Sequence, residues 1–289
     1  MKGPLASSLL AVVTIISYKT FANYQERVIY GDDNRQEIYS LKDQNLKDLA
    51  KATLTLIPKK NISFDGLGHF EIAGETFGER YGMCSSERFV EQPGVGYCTG
   101  FLVAPDLVAT AGHCIVRNDC QRNYFVTGYA MESEGQFQTL RSAADVYECQ
   151  SIIQRKVTDR EDFALIRLDR PVLQTQPLEL SAEEVQVGQE IFTIGNPSGL
   201  PTKLTDKAQV KDLGWNFFRT NLDTYGGNSG SPVFNASTRQ VIGVLVRGTF
   251  DYKWDDQNQC NRSNLVSEDV GFEDVTQISF IRDAMERAQ

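Results

Sequence analysis

The stretch Thr224-Tyr-Gly-Gly-Asn-Ser-Gly-Ser-Pro-Val-Phe234 places a serine between glycines, directly before a run of apolar residues. Glycine adopts backbone conformations that other residues resist, so the stretch predicts a tight turn that leads into a strand. Successive backbone N–H groups of such a turn can converge on the point where a negatively charged oxygen develops. Most Gly-Asn-Ser-Gly stretches are ordinary turns, so the interpretation of Ser229 as a nucleophile needs support from elsewhere in the chain.

Two motifs upstream of this turn add a histidine and an aspartate. The first is Val108-Ala-Thr-Ala-Gly-His-Cys114, and the second is Asp162-Phe-Ala-Leu-Ile-Arg-Leu168. A serine hydroxyl needs a base within hydrogen-bond reach to attack at neutral pH, and a carboxylate can orient that base. His113, Asp162 and Ser229 follow one another in the chain order of the chymotrypsin-type catalytic triad.

With these motifs, the chain resembles the trypsin-like (chymotrypsin-fold) serine proteases, and especially the bacterial branch that includes the glutamyl endopeptidases. The resemblance covers roughly residues 95–289. It implies an all-β fold of two six-stranded antiparallel β-barrels with a C-terminal helix, and an active site in the cleft between the barrels. It is carried by Thr110-Ala-Gly-His-Cys114, Asp162-Phe-Ala-Leu-Ile-Arg-Leu168, Gly227-Asn-Ser-Gly-Ser-Pro-Val233 and Val241-Ile-Gly-Val-Leu245.

The resemblance also implies a role for each residue of the triad. Ser229 would attack the peptide carbonyl, His113 would be the general base, and Asp162 would orient His113. The backbone N–H groups of Gly227 and Ser229 would form the oxyanion hole. The implied function is that of a serine endopeptidase that acts on proteins or peptides through an acyl-enzyme, without cofactor or metal. A protease-fold binding module without catalysis is the alternative, although such relatives usually lose a triad residue.

Four other residues compete for the triad roles. Ser231 lies after the turn, at the predicted start of a strand, and His69 has no supporting motif. Asp159 and Glu161 belong to a charged cluster before the apolar run, where a solvated surface is the simpler interpretation.

Four residues are candidates for the pocket that receives the substrate side chain: Asp223, Thr224, Leu245 and Arg247. Asp223 lies six residues before Ser229, where trypsin has the carboxylate that selects arginine or lysine. Glutamyl endopeptidases have a threonine at the position of Thr224 and a histidine at that of Leu245. Arg247 could contact an acidic substrate, although a solvated or ion-paired arginine is the simpler interpretation. We expect cleavage after basic residues, with glutamyl specificity as the alternative.

Six cysteines favour an exported protein with disulfide bonds. The chain has only two histidines and no Cys-x-x-Cys pair, which argues against a zinc site. The resemblance implies a bridge between Cys98 and Cys114, which would hold the loop of the motif histidine. The other four cysteines allow three pairings, of which we favour Cys120–Cys149 with Cys84–Cys260.

The first residues predict a secretory signal peptide over residues 1–22. Lys2 precedes an apolar run from Leu5 to Tyr18, and Thr20-Phe-Ala22 offers small residues for cleavage. The run is short for a membrane span, which disfavours a permanent anchor.

A second cleavage is suggested by Arg27-Val28, because Val28-Ile-Tyr-Gly-Asp-Asp-Asn-Arg35 resembles the mature amino terminus of the glutamyl endopeptidase branch. Residues 23–27 would then be a short propeptide; the alternative is that Val28 simply begins a strand. Trypsin has an aspartate at the position of Asn228 that receives the new amino terminus. The glutamyl endopeptidases have asparagine there, so activation would follow their variant or be unnecessary.

Residues 28–289 are expected to form the peptidase domain, with barrels at about 28–172 and about 178–289 joined by a proline-containing link. The formal net charge of −9 argues against a nucleic acid or an anionic membrane as a partner. No stretch after the signal peptide is apolar enough to cross a bilayer, so we expect the mature protein to be soluble. We also expect it to be a monomer that is secreted or periplasmic.

Local patterns predict three further features. Residues 38–57 favour a short helix followed by a strand, and the tail from Phe272 to Arg287 favours a helix because Val275, Ile278, Ile281 and Met285 recur at helical spacing. The acidic stretches Asp251–Asp256 and Glu268–Asp269 favour a solvated surface. Residues 58–94 form an insertion without an assigned role.

Overall fold

Strands are the main regular secondary structure of the chain, as the expected all-β fold predicts. The computed structural model describes residues 29–30, 33–248, 251–266 and 272–287. The predicted signal peptide, the Arg27-Val28 processing site and Glu268–Asp269 lie outside the described residues.

The strands in chain order are β1 (Ile29–Tyr30), β2 (Gln36–Glu37), β3 (Thr53–Pro58), β4 (Ile62–Phe64), β5 (His69–Ile72), β6 (Cys98–Ala104), β7 (Leu107–Thr110), β8 (Asn123–Thr127), β9 (Leu140–Ser142), β10 (Val146–Tyr147), β11 (Cys149–Val157), β12 (Asp162–Leu168), β13 (Glu190–Gly195), β14 (Lys203–Leu213), β15 (Phe217–Thr220), β16 (Pro232–Asn235), β17 (Val241–Arg247), β18 (Tyr252–Asp255), β19 (Cys260–Ser263), β20 (Leu265–Val266) and β21 (Glu273–Gln277). The α-helices are α1 (Gln44–Lys51), α2 (Phe77–Tyr81) and α3 (Ser279–Arg287). Among the described residues, none of the helices has the length and apolar character of a membrane span.

The N-terminal sheet is antiparallel and has the strand order β10-β8-β3-β6-β7-β12-β11. It curls around a core in which the side chains of Leu54, Phe101, Val108, Phe125 and Leu165 are fully buried. Burial of each such side chain contributes roughly 1.5–3 kcal/mol, so this core is a main source of the stability of the N-terminal half.

The C-terminal sheet closes on itself in the order β13-β16-β17-β21-β15-β14, because β14 also pairs with β13. Phe218, Val233 and Val275 are buried inside it, and β2 extends the sheet beside β14. The expected two-barrel fold is confirmed. The expected six strands are found in this barrel, whereas the N-terminal sheet has seven, and the described pairings do not join β10 to β11.

The C-terminal tail corrects the prediction of a helix from Phe272. Residues Glu273–Gln277 form β21, in which the fully buried Val275 pairs with Leu245 of β17. α3 begins only at Ser279 and buries Ile281. The helical spacing was misleading because β21 is held by distant strands, and tertiary pairing of this kind overrides a local pattern.

The start of the chain agrees with its local pattern. A helix and a strand were predicted over residues 38–57; α1 lies within this range, and β3 ends one residue beyond it. Asp43 caps α1 by accepting the backbone N–H of Asn45 at 2.9 Å, as is typical of a helix start.

The insertion at residues 58–94 contains β4, β5 and α2. Thr76 and Glu79 form a capping box at the start of α2, which satisfies backbone donors that the helix leaves open. The structure has disulfides Cys84–Cys260, Cys98–Cys114 and Cys120–Cys149, the pairings favoured from the sequence. The first of these ties the insertion to β19 in the C-terminal half.

A buried ion pair holds β2 against the C-terminal barrel. Nζ of Lys203 lies 3.1 Å from Oε2 of Glu37 and also donates to the side-chain oxygen of Gln92 at 2.8 Å. The Lys203 side chain is completely buried, and burial lowers its pKa to about 8, although Glu37 opposes the shift. Removal of one member of such a pair leaves the other charge buried without its partner.

We predict that Glu37→Leu lowers the free energy of unfolding by about 3 kcal/mol, because Lys203 loses its carboxylate. The double variant Glu37→Leu/Lys203→Met should recover most of that loss, since it removes the buried charge as well. Urea unfolding followed by far-UV circular dichroism measures both effects. Additive losses in the double variant would contradict the coupling.

Candidate active site

The pairing of β7 with β12 brings a histidine and an aspartate together. His113 lies in a turn directly after β7, and Asp162 is the first residue of β12. Oδ2 of Asp162 lies 2.8 Å from Nδ1 of His113, and Oδ1 accepts the backbone N–H of His113 at 3.0 Å. The side chain of Asp162 is 6% exposed and that of His113 is 39% exposed. The carboxylate therefore orients the ring through Nδ1 and leaves Nε2 for a second partner.

Ser229 reaches the same place from the C-terminal barrel and lines one cavity with His113 and Asp162. Its turn is held against the N-terminal sheet by Thr99 of β6. The backbone N–H of Thr99 donates to the carbonyl oxygen of Ser229 at 2.8 Å, and its hydroxyl donates to that of Gly227 at 2.9 Å. These bonds join a turn of the C-terminal half to a strand of the N-terminal sheet. They therefore set the position of Ser229 relative to His113.

The turn has a backbone that favours glycine. Gly227 has a φ of 102°, and a Cβ on it would lie 2.5 Å from the carbonyl oxygen of Asn196. Among the described residues, the N–H groups of Gly227 and Ser229 donate to no protein acceptor. Both donors are therefore available for the oxyanion hole that was expected here.

The competing candidates lie elsewhere. Ser231 is fully buried and does not line the cavity. His69 is in the insertion, where its Nδ1 lies 2.9 Å from Oδ2 of Asp65. Asp159 is exposed and Glu161 is half-buried, and neither contributes to the cavity wall.

A metal site is disfavoured next to the histidine. The possible ligand atoms of Cys98, His113 and Cys114 lie within 4.8 Å of one another. However, the two sulfurs are joined in a disulfide, so they offer no thiolates to a metal. The bridge instead joins the turn of His113 to β6.

The cavity beside Ser229 has a volume of about 520 Å³. Beyond the triad candidates, it is lined by Thr224, Tyr225, Gly226, Leu245, Val246, Arg247, Gly248, Asp251 and Glu273. A cavity of about 590 Å³ near Leu49 and Leu173 contains no triad candidate, so its size does not make it the better candidate site.

Glu273 places a carboxylate in the cavity wall, although no sequence motif pointed to this residue. Oε2 of Glu273 accepts the hydroxyl of Thr224 at 2.6 Å, and the residue is 2% exposed. A Cβ on Gly248 would lie 2.0 Å from the same oxygen, so the glycine makes room for this carboxylate. No local signal marked Glu273, because its place depends on the pairing of β21 with β17.

Asp251 is a second acidic residue of the cavity wall that was not predicted from the sequence. The stretch Asp251–Asp256 was expected to be a solvated surface, but Asp251 lines the cavity. Oδ2 of Asp251 accepts the backbone N–H of Gly226 at 2.8 Å. Burial raises the pKa of the Asp251 carboxyl to about 7, while the hydrogen bond from Gly226 opposes the shift.

The four residues expected in the substrate pocket do not all line the cavity. Thr224 and Leu245 line the cavity, whereas Asp223 does not. Asp223 is 1% exposed, and its Oδ2 accepts the backbone N–H of Asn34 at 3.3 Å. Arg247 lines the cavity, but its guanidinium donates to the carbonyl oxygen of Asp159 at 3.2 Å. The carboxylates that reach the cavity wall are thus not the one expected at the pocket base.

Known proteins resemble this chain in sequence and in fold. The chain is 31% identical over 156 residues to the glutamyl endopeptidase of Bacillus licheniformis, covering 51% of this chain and 48% of that protein. It is 24% identical over 212 residues to a probable periplasmic serine endoprotease, DegP-like, of Halomonas elongata, covering 69% and 42%. The chain thus matches less than half the length of these relatives. A solved structure of a Glu endopeptidase in complex with MPD has the same fold, with a TM-score of 0.50 and 17% identity over 90% of this chain and 99% of that chain.

The family model of the trypsin-like peptidase domain matches residues 98–244. This range begins with β6, ends within β17 and includes His113, Asp162 and Ser229. The match spans half of the chain, and the two-barrel fold agrees with it. The chain belongs to the family of trypsin-like peptidase domains.

Proposed function

We propose that this protein is a serine endopeptidase that uses Ser229, His113 and Asp162 as its catalytic triad. The observation that carries the proposal is the arrangement of His113. Its Nδ1 is bound to the buried Asp162 carboxylate, while its ring shares a cavity with the hydroxyl-bearing Ser229. This is the arrangement that a general base for a serine nucleophile requires.

In this mechanism, Ser229 attacks the carbonyl carbon of the scissile peptide bond while Nε2 of His113 takes its proton. The N–H groups of Gly227 and Ser229 stabilise the negative oxygen of the tetrahedral intermediate. His113 then gives the proton to the leaving amine, and an acyl-enzyme remains on Ser229. A water molecule, deprotonated by His113, releases the acyl group.

A binding module without catalysis is the competing function. We expect a fluorophosphonate probe to label the unmodified protein, because only an activated serine reacts with it. Ser229→Ala should abolish labelling, whereas Ser231→Ala should retain it. Absence of labelling in the unmodified protein, or labelling that survives Ser229→Ala, would contradict the proposed nucleophile.

The orienting role of Asp162 predicts a large and specific loss. Asp162→Asn should lower kcat for peptide hydrolysis by about 10⁴-fold, because an amide favours the wrong tautomer of His113. The matched control Asp159→Asn removes a nearby exposed carboxylate and should stay within about twofold of the unmodified enzyme. A loss below about tenfold for Asp162→Asn would argue against the triad.

We also propose that the enzyme cleaves after arginine or lysine. Glu273 places a carboxylate in the wall of the cavity beside Ser229, and a carboxylate there favours a cationic side chain over an acidic one. The cavity also contains Arg247, which the glutamyl alternative would need as its cation. Its hydrogen bond to the carbonyl oxygen of Asp159 directs that guanidinium toward the protein itself.

A peptide library that varies the residue before the cut tests this specificity. We expect cleavage after arginine and lysine, and Glu273→Gln should lower kcat/KM for these peptides by about 10- to 100-fold through the loss of a charged hydrogen bond. The control Asp274→Asn changes the next residue, which pairs with Arg219 instead. Cleavage after glutamate by the unmodified enzyme would reject the basic specificity and favour the glutamyl alternative.

The setting in which the enzyme acts is part of the proposal. Three disulfides are typical of a protein that matures outside the cytosol, which favours a secreted or periplasmic enzyme. Its partners would be protein or peptide substrates, and we propose that it acts as a monomer.

A further inference from the structure

Gly226 lines the cavity, and hydrogen bonds hold the peptide units on both sides of its Cα. The N–H of Gly226 donates to Oδ2 of Asp251 at 2.8 Å. The carbonyl oxygen of Gly226 accepts the N–H of Ser198 at 2.6 Å. Gly226 is exposed and has no side chain, so these two bonds restrain a segment that would otherwise rotate easily.

The restrained carbonyl determines the direction of one oxyanion-hole donor. In a planar trans peptide, the carbonyl and the following N–H point in opposite directions. The carbonyl of Gly226 points at Ser198, so the N–H of Gly227 points away from Ser198. Gly226 and Ser229 line the cavity and Ser198 does not, so this direction leads toward the cavity side.

Ser198, which donates to the carbonyl oxygen of Gly226, lies in a buried turn. Ser198 is fully buried in the turn Pro197–Gly199 and has a φ of 57°, a conformation that costs free energy for a non-glycine residue. Its hydroxyl is hydrogen-bonded to the hydroxyl of Tyr252, the first residue of β18. The donor to Gly226 therefore has a fixed position.

Asp251 is held in place by the hairpin of β18 and β19, which also contains Tyr252. Asp251 directly precedes β18, and its carbonyl oxygen accepts the N–H of Asn264 at 3.1 Å. Tyr252 stacks on Tyr225 with ring centroids 5.5 Å apart, and Cys260 of β19 is bonded to Cys84 of the insertion. The carboxylate is thus presented to Gly226 by a hairpin that is tied down at both of its strands.

We propose that Asp251 is a positioning residue for the oxyanion hole. It holds the peptide unit before Gly226 while Ser198 holds the carbonyl after it, and the two bonds together fix the backbone of Gly226 and so the direction of the N–H of Gly227. This inference rests on the proposed endopeptidase function and deepens it. It assigns Asp251 a role as a hydrogen-bond acceptor, which applies to every substrate. A role as a charge that attracts a basic side chain would affect cationic substrates alone.

Two substitutions separate these roles. Asp251→Asn keeps an acceptor oxygen of the same shape and removes the charge, whereas Asp251→Ala removes both. Each variant is assayed on two peptide substrates, one with arginine and one with an uncharged residue before the cut. Asp256→Asn removes an exposed carboxylate from the same stretch and is the matched control.

We expect Asp251→Ala to lower kcat by about 10- to 100-fold on both substrates with little change in KM, because one oxyanion donor is misdirected. Asp251→Asn should retain kcat within about threefold on both. A loss confined to the arginine substrate, or full activity of Asp251→Ala, would overturn the positioning role. The melting temperatures of all variants show whether a loss of kcat comes from misfolding. If Asp251→Ala is misfolded, Asp251→Asn distinguishes the two roles, because only the charge role predicts a loss on the arginine substrate.

Amide hydrogen exchange supplies a readout that needs no activity. The N–H of Gly226 should exchange slowly in the unmodified protein and in Asp251→Asn, and at least about tenfold faster in Asp251→Ala. Exchange that is equally fast in all three would overturn the inference. If the unmodified protein cleaves no peptide and is not labelled at Ser229, the proposed function fails, while the exchange rates still test the role of Asp251.

Discussion

The hydrogen bonds of Thr99 are the interaction on which the candidate site depends. This fully buried residue of β6 donates its backbone N–H to Ser229 and its hydroxyl to Gly227, and its own carbonyl accepts the hydroxyl of Thr110 at 2.6 Å. A buried polar group that loses its partner costs about 1–3 kcal/mol, so these bonds favour one docking of the serine turn on the N-terminal sheet. His113 follows Thr110 by three residues, so the same contacts bring His113 and Ser229 to one cavity.

A second constraint is the burial of acidic groups around the cavity. Asp162, Glu273 and Asp251 are all removed from much of the solvent, which is unfavourable for a carboxylate unless donors surround it. Each has such a donor: the N–H of His113, the hydroxyl of Thr224 and the N–H of Gly226, respectively. Backbone and side-chain donors therefore hold these acidic groups at fixed positions around the cavity.

The insertion at residues 58–94 is part of the support behind the cavity. Cys84 bonds it to β19, and Tyr81 of α2 lies 5.2 Å from Tyr252, centroid to centroid. Arg35 adds a cation to this region, because its guanidinium lies 4.4 Å from the ring centroid of Tyr225 and is bound by both carboxylate oxygens of Asp33. These contacts join the amino-terminal part of the domain to the wall that carries Thr224 and Gly226.

The sequence by itself determined the fold class, the triad candidates and, through the resemblance, the Cys98–Cys114 bridge, because ordered local motifs mark them. It left three pairings open for the other four cysteines, and the tertiary structure decided between them. Tertiary structure alone decided the lining of the pocket. Asp223 has the expected spacing from Ser229 but is buried against Asn34, whereas Glu273 reaches the cavity from a strand that the helical spacing of Val275 and Ile278 concealed. The physical reason is that a sequence motif gives the order of side chains along the chain and not their positions in space. Which carboxylate faces a cavity depends instead on the register of β17 with β21 and on a disulfide-tied hairpin, and residues distant in sequence determine both.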